Sequence, residues 1–377
     1  MNKAYKYRIY PNKHQEKLFI KTFGCIRFYW NNLVSAFNSY DKEENPEPLF
    51  LTTTQIRKEY EWMKEVSYAA MHSKWQDFFN FRIQYFKKDR AKAIGRPTFK
   101  KKGDLQSFRL SNTKFYVNEN KIKLVKIGWV DMVIDRKIPI DAKYISATIS
   151  KNKSNQYFIS LVVEQDIYHK PKTNKSVGID VGLKEFYVSS DNIVVGNPKF
   201  FRESQSKLKK ARQHLSRKKK GSNRYFKSKF KVAKLHQKVT NQRDWFLHNH
   251  STKLVTDYDV IIIEDLNIVG MVKNHTLAKS ISDASWGKFF NMLDYKCKWY
   301  GKQLIKIGRF EPTSKTCSCC GWHNPNLKLS DRTFTCKQCG VALDRDYNAA
   351  LNIKALGVDG AIRTLRDLVI SPVEAFN

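Results

Sequence analysis

Cysteines 317 and 320, then 336 and 339, form two C-x-x-C pairs fifteen residues apart, with Gly321 and Gly340 directly after them. Thiolates at this spacing suit tetrahedral Zn²⁺, and glycine permits the tight turn behind each pair. Four protein ligands leave no open coordination position, so the expected site shapes a loop and hydrolyses nothing. Cys319 has the wrong offset to join them. Cys25 and Cys297 read as small buried hydrophobes.

Three carboxylates far apart in the chain could do chemistry. Asp180 lies between Ile179 and Val181, where an acid is costly to bury unless a cation meets it. Glu264 ends an Ile-Ile-Ile strand, and Asp346 stands where Asp344-Arg-Asp-Tyr-Asn-Ala-Ala opens a helix. Carboxylates at the ends of apolar strands are what Mg²⁺ or Mn²⁺ requires, and two such ions about 4 Å apart could activate water and stabilise the leaving oxygen of a phosphodiester. Each acid also has a plainer reading. Asp180 could satisfy a turn, Glu264 could pair with a lysine, and Asp346 could be an N-cap with Asn348.

A third feature is charge. From Lys207 to Arg243 there are fifteen Lys or Arg and no Asp or Glu. The run includes Lys207, Lys209, Lys210, Arg212, Arg217, Lys218, Lys219, Lys220, Arg224 and Lys227. Leu208, Leu215, Phe226, Phe230, Val232 and Leu235 give it the pattern of an amphipathic helical hairpin broken at Gly221-Ser222. A solvated face normally mixes signs; this one needs phosphates nearby. A membrane-surface helix is the competing reading, and the lack of a lipidation signal counts against it. The loop 86–102 adds eight Lys or Arg, Lys100 and Lys101 among them, with Phe86 and Phe99, and reads as a second backbone clamp.

These groups sit in a chain of 377 residues with a formal charge of +34, so a polyanionic partner is expected. With 41% hydrophobic residues it folds, in two or three domains, and a disordered basic tail protein is excluded. No apolar run or leader-like start suggests a membrane or export, so a cytoplasmic setting is expected. Alternation in Ala4–Pro11 marks a strand, and helical spacing follows from Leu18 to Tyr85. Short alternating segments from Phe108 to Glu164 complete a small β-barrel or sandwich whose first strand is Tyr5 to Tyr10, with the helical domain inserted after it. Beyond a linker at 165–175, strands alternate with long helices, and the run Asp259–Leu266 suits an interior strand covered on both faces.

In this order the motifs resemble the TnpB proteins of bacterial insertion sequences, RNA-guided nucleases related to type V CRISPR effectors. The resemblance covers nearly the whole chain. It is carried by Lys6-Tyr-Arg-Ile-Tyr-Pro11, Gly178-Ile-Asp-Val-Gly-Leu-Lys184, Ile263-Glu-Asp-Leu266, Ser280-Ile-Ser-Asp-Ala-Ser-Trp-Gly287, Thr313-Ser-Lys-Thr-Cys-Ser-Cys-Cys-Gly321, Cys336-Lys-Gln-Cys-Gly340 and Asp344-Arg-Asp-Tyr-Asn-Ala-Ala350. It implies an α+β multidomain protein. Residues 1–11 and 105–170 would be a wedge β-barrel, and 12–104 a helical recognition domain. Residues 171–312 and 341–360 would be an RNase H-like RuvC nuclease domain, 313–340 its zinc ribbon, and 361–377 a tail. The family's catalytic triad falls on Asp180, Glu264 and Asp346, with Asp344 the alternative to the last. Readers of a short motif beside the target are expected around Tyr68, Met71, His72 and Ser73.

The implied activity is endonucleolytic cleavage of double-stranded DNA paired with a guide RNA from the protein's own element, by a chain that is monomeric with one RNA. Rival readings are a guided repressor that binds without cutting, a transposase that joins DNA ends, and a structural zinc-ribbon factor.

Overall fold

The computed structural model describes residues 1–39, 50–87, 94–111, 114–166, 169–328 and 330–370, the last eleven as backbone. Two compact units result, Met1–Asp166 and Ile167–Asn377. Part of the basic loop 86–102, residues 88–93, lies outside the described residues.

In the first unit, strand β1 (Asn2–Tyr10) stops at Pro11, and helix α1 (Lys13–Asn38) starts at once because Asn12 and Gln15 cap it reciprocally. The Asn12 side chain accepts from the Gln15 amide at 2.9 Å, and the Gln15 side chain accepts from the Asn12 amide at 3.0 Å. Thr52 and Gln55 repeat the device for α2 (Thr53–Glu59), and α3 (Tyr68–Tyr85) follows. Strands β2 (Gln106–Ser111), β3 (Phe115–Asn118), β4 (Lys121–Leu124), β5 (Gly128–Val133), β6 (Lys143–Lys151) and β7 (Tyr157–Glu164) join β1 in one antiparallel sheet. Its order is β2-β6-β7-β1-β5-β4-β3. The first strand thus lies inside the sheet, between β7 and β5, and the three helices are inserted after it. The expected barrel is an open sheet, with β2 and β3 at its edges among the described residues. Alternation specifies which face is apolar and not whether the edges meet.

In the second unit, β8 (Ser176–Asp180), β9 (Glu185–Ser189) and β10 (Val194–Gly196) precede the helical pair α4 (Phe200–Ser216) and α5 (Asn223–Asp257). Then come β11 (Val260–Glu264), α6 (Ile268–Met271), α7 (Ala278–Ala284), α8 (Trp286–Tyr300) and β12 (Gln303–Ile307). A two-stranded ribbon, β13 (Thr333–Thr335) and β14 (Ala342–Asp344), leads into α9 (Arg345–Ile370). The expected tail from 361 therefore continues as helix to Ile370, in keeping with the helix formers of Ala361-Ile-Arg-Thr-Leu-Arg. The sheet order is β10-β9-β8-β11-β12, with β8, β11 and β12 mutually parallel and β9 and β10 antiparallel.

Both faces of the parallel strands are covered. Val177, Ile179, Ile261 and Ile263 pack with residues of α5 and α8, while Ile262 packs with Ile353 of α9. Gly178 makes that second packing possible, because a β-carbon there would lie 2.3 Å from the Ala350 carbonyl oxygen and 2.5 Å from the Lys354 nitrogen. Both are backbone atoms that cannot step aside. Gly178→Ala is expected to push α9 off β8 and cost about 1–3 kcal/mol, which a thermal melt would read as a lower Tm.

Candidate active site

The sheet brings two of the acids together by register. Ile179 on β8 pairs with Ile263 on the parallel strand β11, so Asp180 and Glu264 follow side by side at neighbouring strand ends. Paired residues of adjacent strands share a face about 4.8 Å apart. That face is the one α9 covers, since Gly178 and Ile262, two residues earlier, meet α9. Climbing two residues of β8 from Gly178 reaches Asp180, and climbing one helical turn from Ala350 towards the start of α9 reaches Asp346. The two paths are of similar length, roughly 6 to 7 Å.

The Asp180 carboxyl is raised well above the usual carboxylate range, first by burial, then by the charges of Glu264 and Asp346; Arg345 and the Val181 amide oppose the shift. Among the described residues no lysine pairs with Glu264; its Oε1 accepts from the Thr313 hydroxyl at 2.7 Å. Asp344, not Asp346, caps the helix, its Oδ1 accepting from the amides of Asp346 at 2.9 Å and Tyr347 at 3.1 Å. Asp346 is thereby released from capping and is held by Arg345 at 3.1 Å. The neighbouring Asp265 is engaged by Arg309 at 2.8 Å.

The four cysteines form a tighter group. Their sulfurs all lie within 4.8 Å of one another, the one such cluster of metal-type ligands among the described residues. Cys317 and Cys339 are 3.7 Å apart, and Cys320 and Cys336 3.5 Å. Four thiolates about 2.3 Å from a tetrahedral ion would be roughly 3.8 Å from each other, so the set fits a thiophilic metal. Both turns use the glycines expected, with φ of 79° at Gly321 and 76° at Gly340. Burial pushes the Cys336 thiol up, but the amides of Cys339 and Gln338 and its thiol neighbours draw it to about 6. Cys319 is exposed, while burial pushes Cys25 up to about 11 and Cys297 to about 12.

The basic hairpin is α4 and α5, joined at Gly221 with φ of 86° and capped by Ser222. Lys207, Lys209, Lys210, Arg212, Arg217, Lys219, Lys220, Arg224 and Lys227 are exposed, and Lys218 half-buried. Asp283, which sequence reasoning passed over inside its motif, anchors this hairpin. Its carboxylate accepts from the Phe201 amide at the start of α4 at 3.1 Å and from Arg243 of α5 at 2.7 Å. In the other unit, Lys100 and Lys101 are also exposed; the Lys100 ammonium lies 4.4 Å from the centre of the Trp30 ring. On α3, Met71 and Ser73 are buried, whereas the exposed Tyr68 stacks on the half-buried His72 at 5.7 Å, and Trp75, at 5.7 Å beyond it, packs against the core. Among the described residues no helix is long and apolar enough to cross a membrane.

Residues 286–353 match the family model described as Cas12f1-like, TNB domain, residues 160–275 one described as "Probable transposase", and residues 1–45 a helix-turn-helix domain. A "Putative RNA-guided DNA endonuclease" of Streptomyces pristinaespiralis is 34% identical over 366 residues, spanning 95% of this chain and 90% of that protein. The "Putative RNA-guided DNA endonuclease InsQ" of Escherichia coli K12 is 28% identical over 377 residues, covering 94% and 92%. The fold is similar to the cryo-EM structure of a Cas12f1–sgRNA–target DNA complex, with a TM-score of 0.51 at 14% identity over 94% of this chain and 98% of that one. The class is that of RNA-guided DNA endonucleases carried by insertion sequences. This chain belongs to the TnpB family.

Proposed function

We propose that this TnpB chain cuts double-stranded DNA paired with a guide RNA from its own element, and that Asp180, Glu264 and Asp346 are its catalytic residues. The observation that carries the reading is the register of β8 and β11, which sets Asp180 beside Glu264 on the face that α9, carrying Asp346 in its first turn, covers. The strand order, with three parallel strands and an antiparallel pair on one edge, supports an RNase H-like RuvC assignment. The three carboxylates would hold Mg²⁺ or Mn²⁺, which supplies charge neutralisation at the scissile phosphate and activation of water. The protein's own part is to keep three acids in one place on a rigid sheet and helix, with Asp344 freeing Asp346 from capping.

The four thiolates would hold Zn²⁺ and shape the segment between β12 and α9. The exposed cations of α4 and α5 would grip phosphates without reading sequence, leaving specificity to base pairing. Tyr68 and His72 are the accessible candidates for contact with the flanking motif. We further infer a monomer with one RNA, acting in the cytoplasm, where seven cysteines stay as thiols.

The test is to purify the protein with its co-purifying RNA, sequence that RNA, and add Mg²⁺ with duplexes that do or do not match it. One discrete RNA and linear products from the matching duplex alone are expected. Binding without cutting would favour the repressor reading, and joined ends the transposase.

A further inference from the structure

The four-cysteine element reaches the carboxylate site through Thr313 at its base, which bonds Glu264, and through Arg332, 3.9 Å from Asp346 Oδ2. Thr313 is 5% exposed, and its hydroxyl donates to Glu264 Oε1 at 2.7 Å. Its backbone is fixed at both ends: its amide donates to the Glu311 carbonyl at 2.8 Å, and its carbonyl accepts from Asn352 Nδ2 at 2.7 Å. Asn352 also donates to the Thr316 carbonyl at 2.6 Å, and the fully buried Asn348 donates to the same carbonyl at 2.7 Å. The Asn348 oxygen accepts from the Ser318 amide at 3.0 Å, directly after the first thiol ligand. Asn348 and Asn352 both lie on α9, the helix whose first turn carries Asp346.

A β-branched hydroxyl with its backbone clamped on two sides has little rotational freedom. By donating to one carboxylate oxygen it fixes the plane of Glu264 and leaves the second oxygen for a cation. Groups that orient a metal ligand in this way typically contribute 10- to 100-fold in metal affinity or activity.

We propose that Thr313 is a positioning residue for Glu264, and that through Thr313, Asn348 and Asn352 the root of the thiolate element sets the affinity of the carboxylate site for divalent cations. This rests on the functional reading above. It goes further by making the thiolate element part of the cation site's precision, not only a brace for its own loop.

The test measures Mn²⁺ binding to the protein–RNA complex by electron paramagnetic resonance of the free ion, alongside zinc content and Tm. Thr313→Val is expected to weaken Mn²⁺ binding about 10-fold or more, with cleavage recovered at high Mg²⁺ and zinc retained at one per chain. Thr313→Ser, which keeps the hydroxyl, is expected to bind within about twofold of the unchanged protein. In a Glu264→Gln background the Val change should remove little more. Unweakened binding by Thr313→Val, a serine variant as defective as valine, or equal losses in both backgrounds would overturn the inference. Failure of the unchanged complex to bind Mn²⁺ and cut would instead overturn the functional reading.

Discussion

Asp180→Asn will abolish DNA cleavage, slowing it at least about a thousandfold, or roughly 4 kcal/mol in the barrier, while guide and target binding persist. The amide keeps the size and the strand but removes the carboxylate that would ligate the cation. Single-turnover cleavage with saturating Mg²⁺, beside a binding assay, checks both halves. A variant that still cuts would remove these acids from the account. The same substitution should make the metal-free protein more stable. Burial and two like charges raise the Asp180 carboxyl, so as pH rises through the ordinary carboxylate range the unfolded chain loses this proton while the folded chain keeps it. Stability therefore falls until the raised folded value is passed. Asn removes that loss, so the gain in Tm, on the order of a few degrees, should appear at neutral and alkaline pH and shrink towards pH 4 or so.

Removing zinc with a chelator selective for it, with Mg²⁺ kept in excess, will release one ion per chain and end cleavage. Structural zinc contributes about 10–16 kcal/mol of apparent binding free energy at neutral pH, and here four thiols would hold it, around which the only packing is a small cluster at Phe334. Without the ion, the buried Cys317 and Cys336 lose their common partner and the turns at Gly321 and Gly340 lose their reason to persist. Colorimetric zinc release followed beside activity checks this. A protein purified without zinc, or one that keeps cutting after the ion leaves, would contradict it.

Features written in local spacing were legible from the sequence. The thiol pairs with their glycines, the hairpin break at Gly221-Ser222 and the alternation of β1 each depend on residues a few positions apart. The nearness of Asp180 and Glu264 could be suspected because acids at the ends of apolar runs are costly, but it depends on β8 and β11 being neighbours. Thr313 opened a quoted motif without a role, since an ordinary threonine becomes an orienting group only through a partner 49 residues away. Gly178 read as part of a motif, and its closeness to α9 appears only once the helix is docked. Met71 and Ser73 were expected near the motif readers from the family resemblance, which carries no information on burial, and α3 buries both. Asp283 stood in a quoted motif without a role until the amide of Phe201 and the guanidinium of Arg243 were seen to meet on it.

The hairpin of α4 and α5 carries a final implication for how the protein lives in a cell. It buries few side chains of its own near its tip, where Lys218, Lys219 and Lys220 crowd beside Arg217 and Arg224. Such a pair of helices is self-repelling until an oppositely charged strand lies along it. Transcript and polypeptide would then mature as one particle: copies that never meet RNA stay loosened at this end and open to proteases, so the abundance of the enzyme would follow the supply of its guide.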